Sequence, residues 1–321
     1  MLRMRRGIQE TRDAFDKRTP IFDSLHQNKA GTPVGGGLLI IGLTSILFPL
    51  SLILMKYFWV PVTAVYPLLS EVKIILFTFI TFGLLGLLDD LKKMFVRFGK
   101  GFFGLRLRHK LLLEIILASI VSIWLVTELK IDILYIPFLG IFHLGWIFIP
   151  FAVLVIIGFA NAYNITDGLD GLASGLLMIA LTAFWIVSAS ILDTPISLFI
   201  AILIGSLLAF MYFNIYPARI FLGDVGALSF GATLAVIALI LGKAPVLFVI
   251  GGLFVIEVTS SFVQLLWKRM FGKKLFDVAP FHLWLQYHGW EEPKIVMRFW
   301  IIGIVFALLG LWLALLTRAS V

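Results

Sequence analysis

Apolar residues run almost unbroken for long stretches of this chain, and the polar residues gather in blocks between them. From Pro33 onward the runs fall near 34–55, 72–89, 111–127, 145–162, 171–190, 196–213, 226–242, 246–267 and 295–317. Each approaches the roughly 20 residues that a helix needs to cross a bilayer. The pattern predicts an all-α, polytopic integral membrane protein with about nine transmembrane helices. A polar, basic segment over 1–32 precedes a single membrane domain over 33–321, and no soluble domain is evident.

Composition agrees. Hydrophobic residues make up 61% of the chain, mean hydropathy is +1.06 and charged residues are only 14%, against about 25% in an ordinary soluble domain. There are no cysteines, which excludes a disulfide framework and a thiolate site. The formal charge of +8 would suit a nucleic-acid partner, but the charges lie in blocks between apolar runs, the distribution of a membrane orientation signal. No nucleic-acid partner is therefore expected. Met1–Arg6 is positive but no apolar core follows it, so it does not read as a signal peptide. The 1–32 segment is either an amphipathic interfacial stretch or a solvated basic arm.

Of the 26 lysines and arginines, 21 fall in the blocks 1–32, 90–110, 215–225 and 268–298; the alternate connections hold only Lys56, Lys73, Lys130, Lys243 and Arg318. That bias puts the amino terminus in the cytoplasm. The acids converge on the same side: Asp89 and Asp90 end the second run, Asp167 and Asp170 follow the fourth, and Asp224 precedes the seventh.

Asp89-Asp90-Leu-Lys-Lys93 sits at the carboxyl end of its predicted helix, where adjacent carboxylates repel and the macrodipole disfavours anions. A nearby cation or a proton-abstraction role accounts for the placement. Asn161-Ala-Tyr-Asn-Ile-Thr-Asp-Gly-Leu-Asp-Gly-Leu-Ala173 is a polar stretch between two apolar runs. Helix capping accounts for one aspartate there, but not for Asn161 and Asn164 just upstream. Phe221-Leu-Gly-Asp224 repeats the order of glycine, carboxylate and apolar helix, with Asn214 and Arg219 in the same loop suited to an anion or a nucleobase edge. Lys29, Lys92, Lys93, Arg108 and Lys110 surround these loops. Carboxylates recruit Mg²⁺, which takes one or two protein oxygens and completes its shell with water and phosphate, while lysines neutralise the remaining phosphate charge. These are the parts of a phosphoryl-transfer site. At a membrane surface they imply one soluble phosphate ester and one lipid-borne partner. Glu257, inside a run, is either buried against a polar partner such as Gln264 or faces a cavity.

The chain resembles the polyprenyl-phosphate N-acetylhexosamine-1-phosphate transferases, and most of all their bacterial muramoyl branch. The matching pieces are Lys29-Ala-Gly-Thr-Pro33, Asp89-Asp90-Leu-Lys-Lys93, Arg108-His-Lys110, Asn161–Ala173, Asn214–Asp224, Ala279-Pro-Phe-His282 and Gly289–Trp300. The resemblance implies transfer of phospho-MurNAc-pentapeptide from UDP-MurNAc-pentapeptide to undecaprenyl phosphate, giving lipid I and UMP, at the cytoplasmic face of the bacterial inner membrane. Carried over by motif, Asp89 is the base towards the lipid phosphate, with Asp90 beside it, and Asp224 a catalytic Mg²⁺ ligand with Asp167 near the metal. The resemblance assigns Lys29, Lys93, Lys110, Asn161, Asn164, Asp167, Asp170, Asn214 and His282 to the substrates, and Phe221 to stacking on uracil. The chain departs from the family in two places. His282-Leu283-Trp284 stands where three consecutive histidines are common, with His288 as a candidate substitute. The counterpart of the first of ten family spans is not evident, which leaves open a homodimer that such a helix would help to form. Alternative readings are a sister enzyme acting on UDP-GlcNAc, a catalytically inactive lipid-binding relative, and an ion-coupled transporter. The last is disfavoured because transporters tend to place their acids near the bilayer midplane within internal repeats.

Overall fold

The computed structural model describes Lys29 and residues 31–95 and 105–316. Most of the 1–32 segment, part of the 90–110 block and residues 317–321 lie outside the described residues. The helices are α1 (Gly36–Tyr57), α2 (Leu68–Phe95), α3 (Leu107–Thr127), α4 (Phe148–Thr166), α5 (Leu172–Ser190), α6 (Thr194–Asn214), α7 (Gly223–Ile240), α8 (Ala244–Ile250), α9 (Gly252–Phe271), α10 (Phe281–Tyr287) and α11 (Glu292–Leu316). Among the described residues, α1–α7 and α11 are long and apolar enough to cross a membrane, and the α8–α9 pair makes up to nine spans. The outward faces carry bare apolar side chains such as Leu39, Ile46, Ile53, Ile301 and Leu308, and in water such patches would drive association. Helices are what a chain of this composition must form where no water can satisfy the backbone. The molecule is a multi-pass membrane protein.

Two features depart from the pattern read in the sequence. The eighth apolar run is not one rod: α8 and α9 meet at 83°, on either side of Gly251. A side chain at Gly251 would come within 2.6 Å of the Phe159 ring and one at Gly252 within 2.8 Å of Phe306, so this bend packs tightly where only glycines fit. The connection around Lys130 also contains a short antiparallel hairpin, β1 (Ile133–Ile136) with β2 (Gly140–His143).

The bundle is organised around α7. It is buried along nearly its whole length, against α1, α2, α4 and α5. Small residues permit the close approach, as is usual between membrane helices. An added Cβ at Gly231 would lie 2.3 Å from the Phe159 carbonyl oxygen, and one at Gly86 would lie 2.1 Å from that of Asp224. Rings then bridge the helices. Phe79 packs edge-on to Phe199 at 5.3 Å and stacks on Phe230 at 5.9 Å, and Tyr163 stacks on Phe254 at 5.5 Å. Ser229 donates to the Phe79 carbonyl at 2.6 Å, a hydrogen bond between helices where water is absent.

Because Gly86 abuts the backbone of Asp224, Gly86→Ala must push α2 away from α7. Overpacking of this kind costs about 1–3 kcal/mol. The expected result is a lowered thermal midpoint of the purified protein in detergent, and an unchanged midpoint would contradict the packing described.

Candidate active site

One end of the bundle gathers the carboxyl ends of α2, α4 and α6 with the amino ends of α3, α5, α7 and α11. The ionic groups there form two clusters. In the first, Lys93 stands one turn beyond Asp89 on α2, and its Nζ meets Asp224 Oδ2 at 2.6 Å and Asp89 Oδ2 at 3.1 Å. Lys110, on the first turn of α3, lies 3.6 Å from Asp224 and 3.8 Å from Asp89. The remaining oxygens are also engaged: Asp89 Oδ1 accepts from the Leu105 N–H at 2.6 Å, and Asp224 Oδ1 accepts from Asn164 Nδ2 at 3.2 Å.

The adjacent pair Asp89-Asp90 divides its work. Asp90 turns the other way and accepts from the Val225 N–H at 3.2 Å, in the first turn of α7. An anion is favoured at that helix end. Gly223, at φ 81°, makes this possible, since a Cβ there would strike Asp90 Oδ2 at 2.7 Å and Val34 at 2.8 Å. Asp224 shares the first turn of α7 and so gains from the same helix end.

The second cluster is built on Asp170. Its Oδ1 pairs with Lys29 at 2.8 Å and its Oδ2 accepts from the Ala218 N–H at 2.9 Å. Capping does not explain this residue: the residue before α5 is Gly171, at φ 76°, with no side-chain cap. Asn214 is buried, with Oδ1 accepting from the Gly171 N–H at 3.2 Å and Nδ2 donating to the Ile220 carbonyl at 2.9 Å. Both its ends are thus committed to backbone beneath the turn. Phe221 pairs with the strand-like segment after Lys29: its N–H donates to the Pro33 carbonyl at 2.9 Å and its carbonyl accepts from Gly35 at 3.1 Å. It borders a cavity of about 540 Å³ together with Lys29, Thr32, Asp170 and Trp290.

Asp167 closes α4 and is half-buried, between the two clusters in sequence. Asn161 points elsewhere, donating to Glu114 at 2.7 Å and to the Ile157 carbonyl at 3.0 Å. Lys92 and Arg108 are exposed. His282 is fully buried, its N–H and Nδ1 both directed at Glu257, at 3.1 and 2.9 Å. Among the described residues its Nε2 has no hydrogen-bond partner, and it packs on Gly168, where an added Cβ would lie 2.4 Å away. The departures from the family's histidine run are accommodated: Leu283 is buried in the core and Trp284 stacks on Phe281. His288 bonds to the Trp284 carbonyl at 2.8 Å instead of turning inward.

Three acids carry structural weight that the sequence reading missed or misassigned. Glu114, 1% exposed, lies below Lys110 and holds Asn161. Its signal was present, since a carboxylate within a span is a site hypothesis by default. Glu257 is buried against His282, while the expected partner Gln264 instead bonds to Leu275 and Phe276. Glu292 joins the second cluster; it lies within the Gly289–Trp300 match, which by itself gives it no role.

Among the described residues no three His, Cys, Asp or Glu side chains form a ready-made metal cage. The donor chemistry nonetheless fits a hard divalent cation. Asp89, Asp90 and Asp224 supply carboxylate oxygens at one end of the bundle, and Mg²⁺ asks for only one or two from protein.

A membrane protein with carboxylates interleaved with lysines beside a polar cavity has the equipment of an integral membrane enzyme acting on phosphate esters. Comparison with known proteins agrees. The family model for glycosyl transferase family 4 matches residues 72–242. The phospho-N-acetylmuramoyl-pentapeptide-transferase of Rickettsia canadensis is 39% identical over 89% of this chain and 80% of its own length. The enzyme of the same name from Rickettsia felis is 38% identical over the same shares. This chain belongs to glycosyl transferase family 4.

Glu257→Ala leaves a fully buried histidine ring and N–H without their acceptor, at a cost of about 1–3 kcal/mol. We expect a lower thermal midpoint than wild type. An equal midpoint would show that the pair contributes nothing.

Proposed function

We propose that this protein transfers phospho-MurNAc-pentapeptide from UDP-MurNAc-pentapeptide to undecaprenyl phosphate, forming lipid I and UMP, with Mg²⁺ as cofactor. The observation that carries the reading is the Asp89–Lys93–Asp224–Lys110 cluster, held at one end of a membrane bundle whose relatives carry that enzyme name. The bias of lysines and arginines towards this end supports a site facing the cytoplasm, in the inner membrane.

In this reading an oxygen of the lipid phosphate attacks the β-phosphorus of the donor. The bond from that phosphorus to the oxygen bridging it to the α-phosphate breaks, and UMP leaves. A phosphate monoester is largely ionised near pH 7, so Asp89 has at most one proton to take up. Its orientation is fixed by the Leu105 N–H on one oxygen and lysines on the other. Lys93 and Lys110, now shared between two carboxylates, are positioned to pair with phosphate oxygens. Bound Mg²⁺ would supply charge neutralisation at the diphosphate, with Asp224 as its principal ligand and Asp167 as a second. Direct attack is favoured over a covalent aspartyl-phosphate because in this reading Asp224 is committed to the metal. His282, Asn161 and Asn214 support the walls in this reading.

Membranes containing the chain should release UMP from UDP-MurNAc-pentapeptide only when polyprenyl phosphate and Mg²⁺ are both present. Release from UDP-GlcNAc instead would assign it to the sister reaction, and no release from either would overturn the reading. Asp89→Asn and Asp224→Asn should each lower kcat by at least about 100-fold. Unchanged turnover in either would remove that residue from the mechanism.

A further inference from the structure

Glu292 opens α11, far in sequence from the other groups it meets, and is buried. Its Oε1 accepts from Lys29 Nζ at 2.5 Å and from the Asp170 N–H at 2.6 Å. Lys29 in turn reaches Asp170 Oδ1 at 2.8 Å and the Gly168 carbonyl at 3.3 Å. Glu292 and the Gly168 carbonyl each accept one of its protons, and Asp170 lies beside it as a second ion-pair partner. Lys29 is buried and tied chiefly to groups of the protein itself. It cross-links the chain before α1, the turn between α4 and α5, and the start of α11.

All of these groups border one cavity. Lys29, Asp170 and Glu292 line it, with Ala218 held to Asp170 and with Phe221 and Trp290 alongside. Two carboxylates share one lysine there. What this wall offers a ligand is therefore shape and backbone instead of a free cation. Removing the charge of Glu292 weakens its bonds to the Asp170 N–H and to Lys29 together, so two ties of the Gly168–Asp170 turn loosen at once.

We propose that Glu292 is a positioning residue for the nucleotide-sugar donor: through Lys29 it fixes the Gly168–Asp170 wall of the cavity, and donor affinity depends on a carboxylate at 292 that itself touches no substrate. This rests on the proposed function and further seats the donor's uracil in this cavity, beside Phe221. Lys29, in consequence, is a clasp and not a phosphate ligand.

The test uses the full chain in detergent or nanodiscs, with wild type, Glu292→Gln, Lys29→Met and the double variant. Two quantities are read: the dissociation constant for UMP by calorimetry, and the donor KM and kcat. Glu292→Gln keeps the shape and an acceptor oxygen, and thermal denaturation confirms that it is folded. Losing a charge-assisted hydrogen bond should weaken UMP binding and raise donor KM by about 10- to 100-fold, with kcat changing less than about threefold. Because both side chains act through one clasp, the double variant should be no weaker than the worse single variant. Unchanged UMP affinity and KM in Glu292→Gln, or effects of the two substitutions that multiply, would overturn the proposal. The Glu292 variants are compared with whichever UDP-sugar wild type accepts, so a donor other than UDP-MurNAc-pentapeptide corrects the function and leaves this inference standing or falling by itself. A wild-type protein that binds no uridine nucleotide overturns both.

Discussion

Asp224 stands at the head of α7, the most buried of the described spans, and everything around it follows from that placement. The burial of α7 requires small residues where α2 and α4 cross it, and Gly86 and Gly231 supply them. The same closeness brings Asp89 and Lys93 of α2 against Asp224, because the glycine that lets the helices touch lies one turn before the acid. Charges at this depth are costly unless paired. Lysines from two helices and an asparagine from a third meet that demand in the absence of substrate. In the function proposed, a phosphate-bearing ligand would take over the lysines and leave the carboxylates to a metal, so that the resting ion cluster would stand in for the substrate's own charges.

Much of this was legible in the sequence because a membrane makes polar residues conspicuous. The nine apolar runs, the all-α class and the convergence of Asp89, Asp90, Asp167, Asp170 and Asp224 on one end could be read from hydropathy and charge alone. What escaped was geometry that hydropathy does not encode. The bend at Gly251 lies within a run of ordinary apolar residues, and the Phe159 ring that packs on it comes from another helix. The hairpin between α3 and α4 is too short to impose an alternation on its surroundings. The partition of the basic residues was also invisible: Lys93 and Lys110 serve the Asp224 cluster, Lys29 serves Asp170 and Glu292, and Lys92 and Arg108 face outward.

Several motif residues hold the site together from behind. Asn214 spends both ends of its amide on backbone, Asn161 is tied to Glu114, and His282 is tied to Glu257. Fixed side chains of this kind keep reacting groups within the narrow tolerance that phosphoryl transfer requires. The histidine run shows the same economy: Leu283 and Trp284 fill apolar space beside His282, so the buried histidine keeps its place without neighbours of its own type.

The central claim is that the lipid phosphate attacks the donor's β-phosphorus directly at the Asp224 cluster, with no phosphorylated enzyme between. The most direct measurement is the stereochemical course at that phosphorus, using a donor made chiral there with sulfur and oxygen isotopes. A single in-line displacement predicts inversion of configuration in the lipid product. Retention would contradict the account and place a covalent carboxylate intermediate in the path.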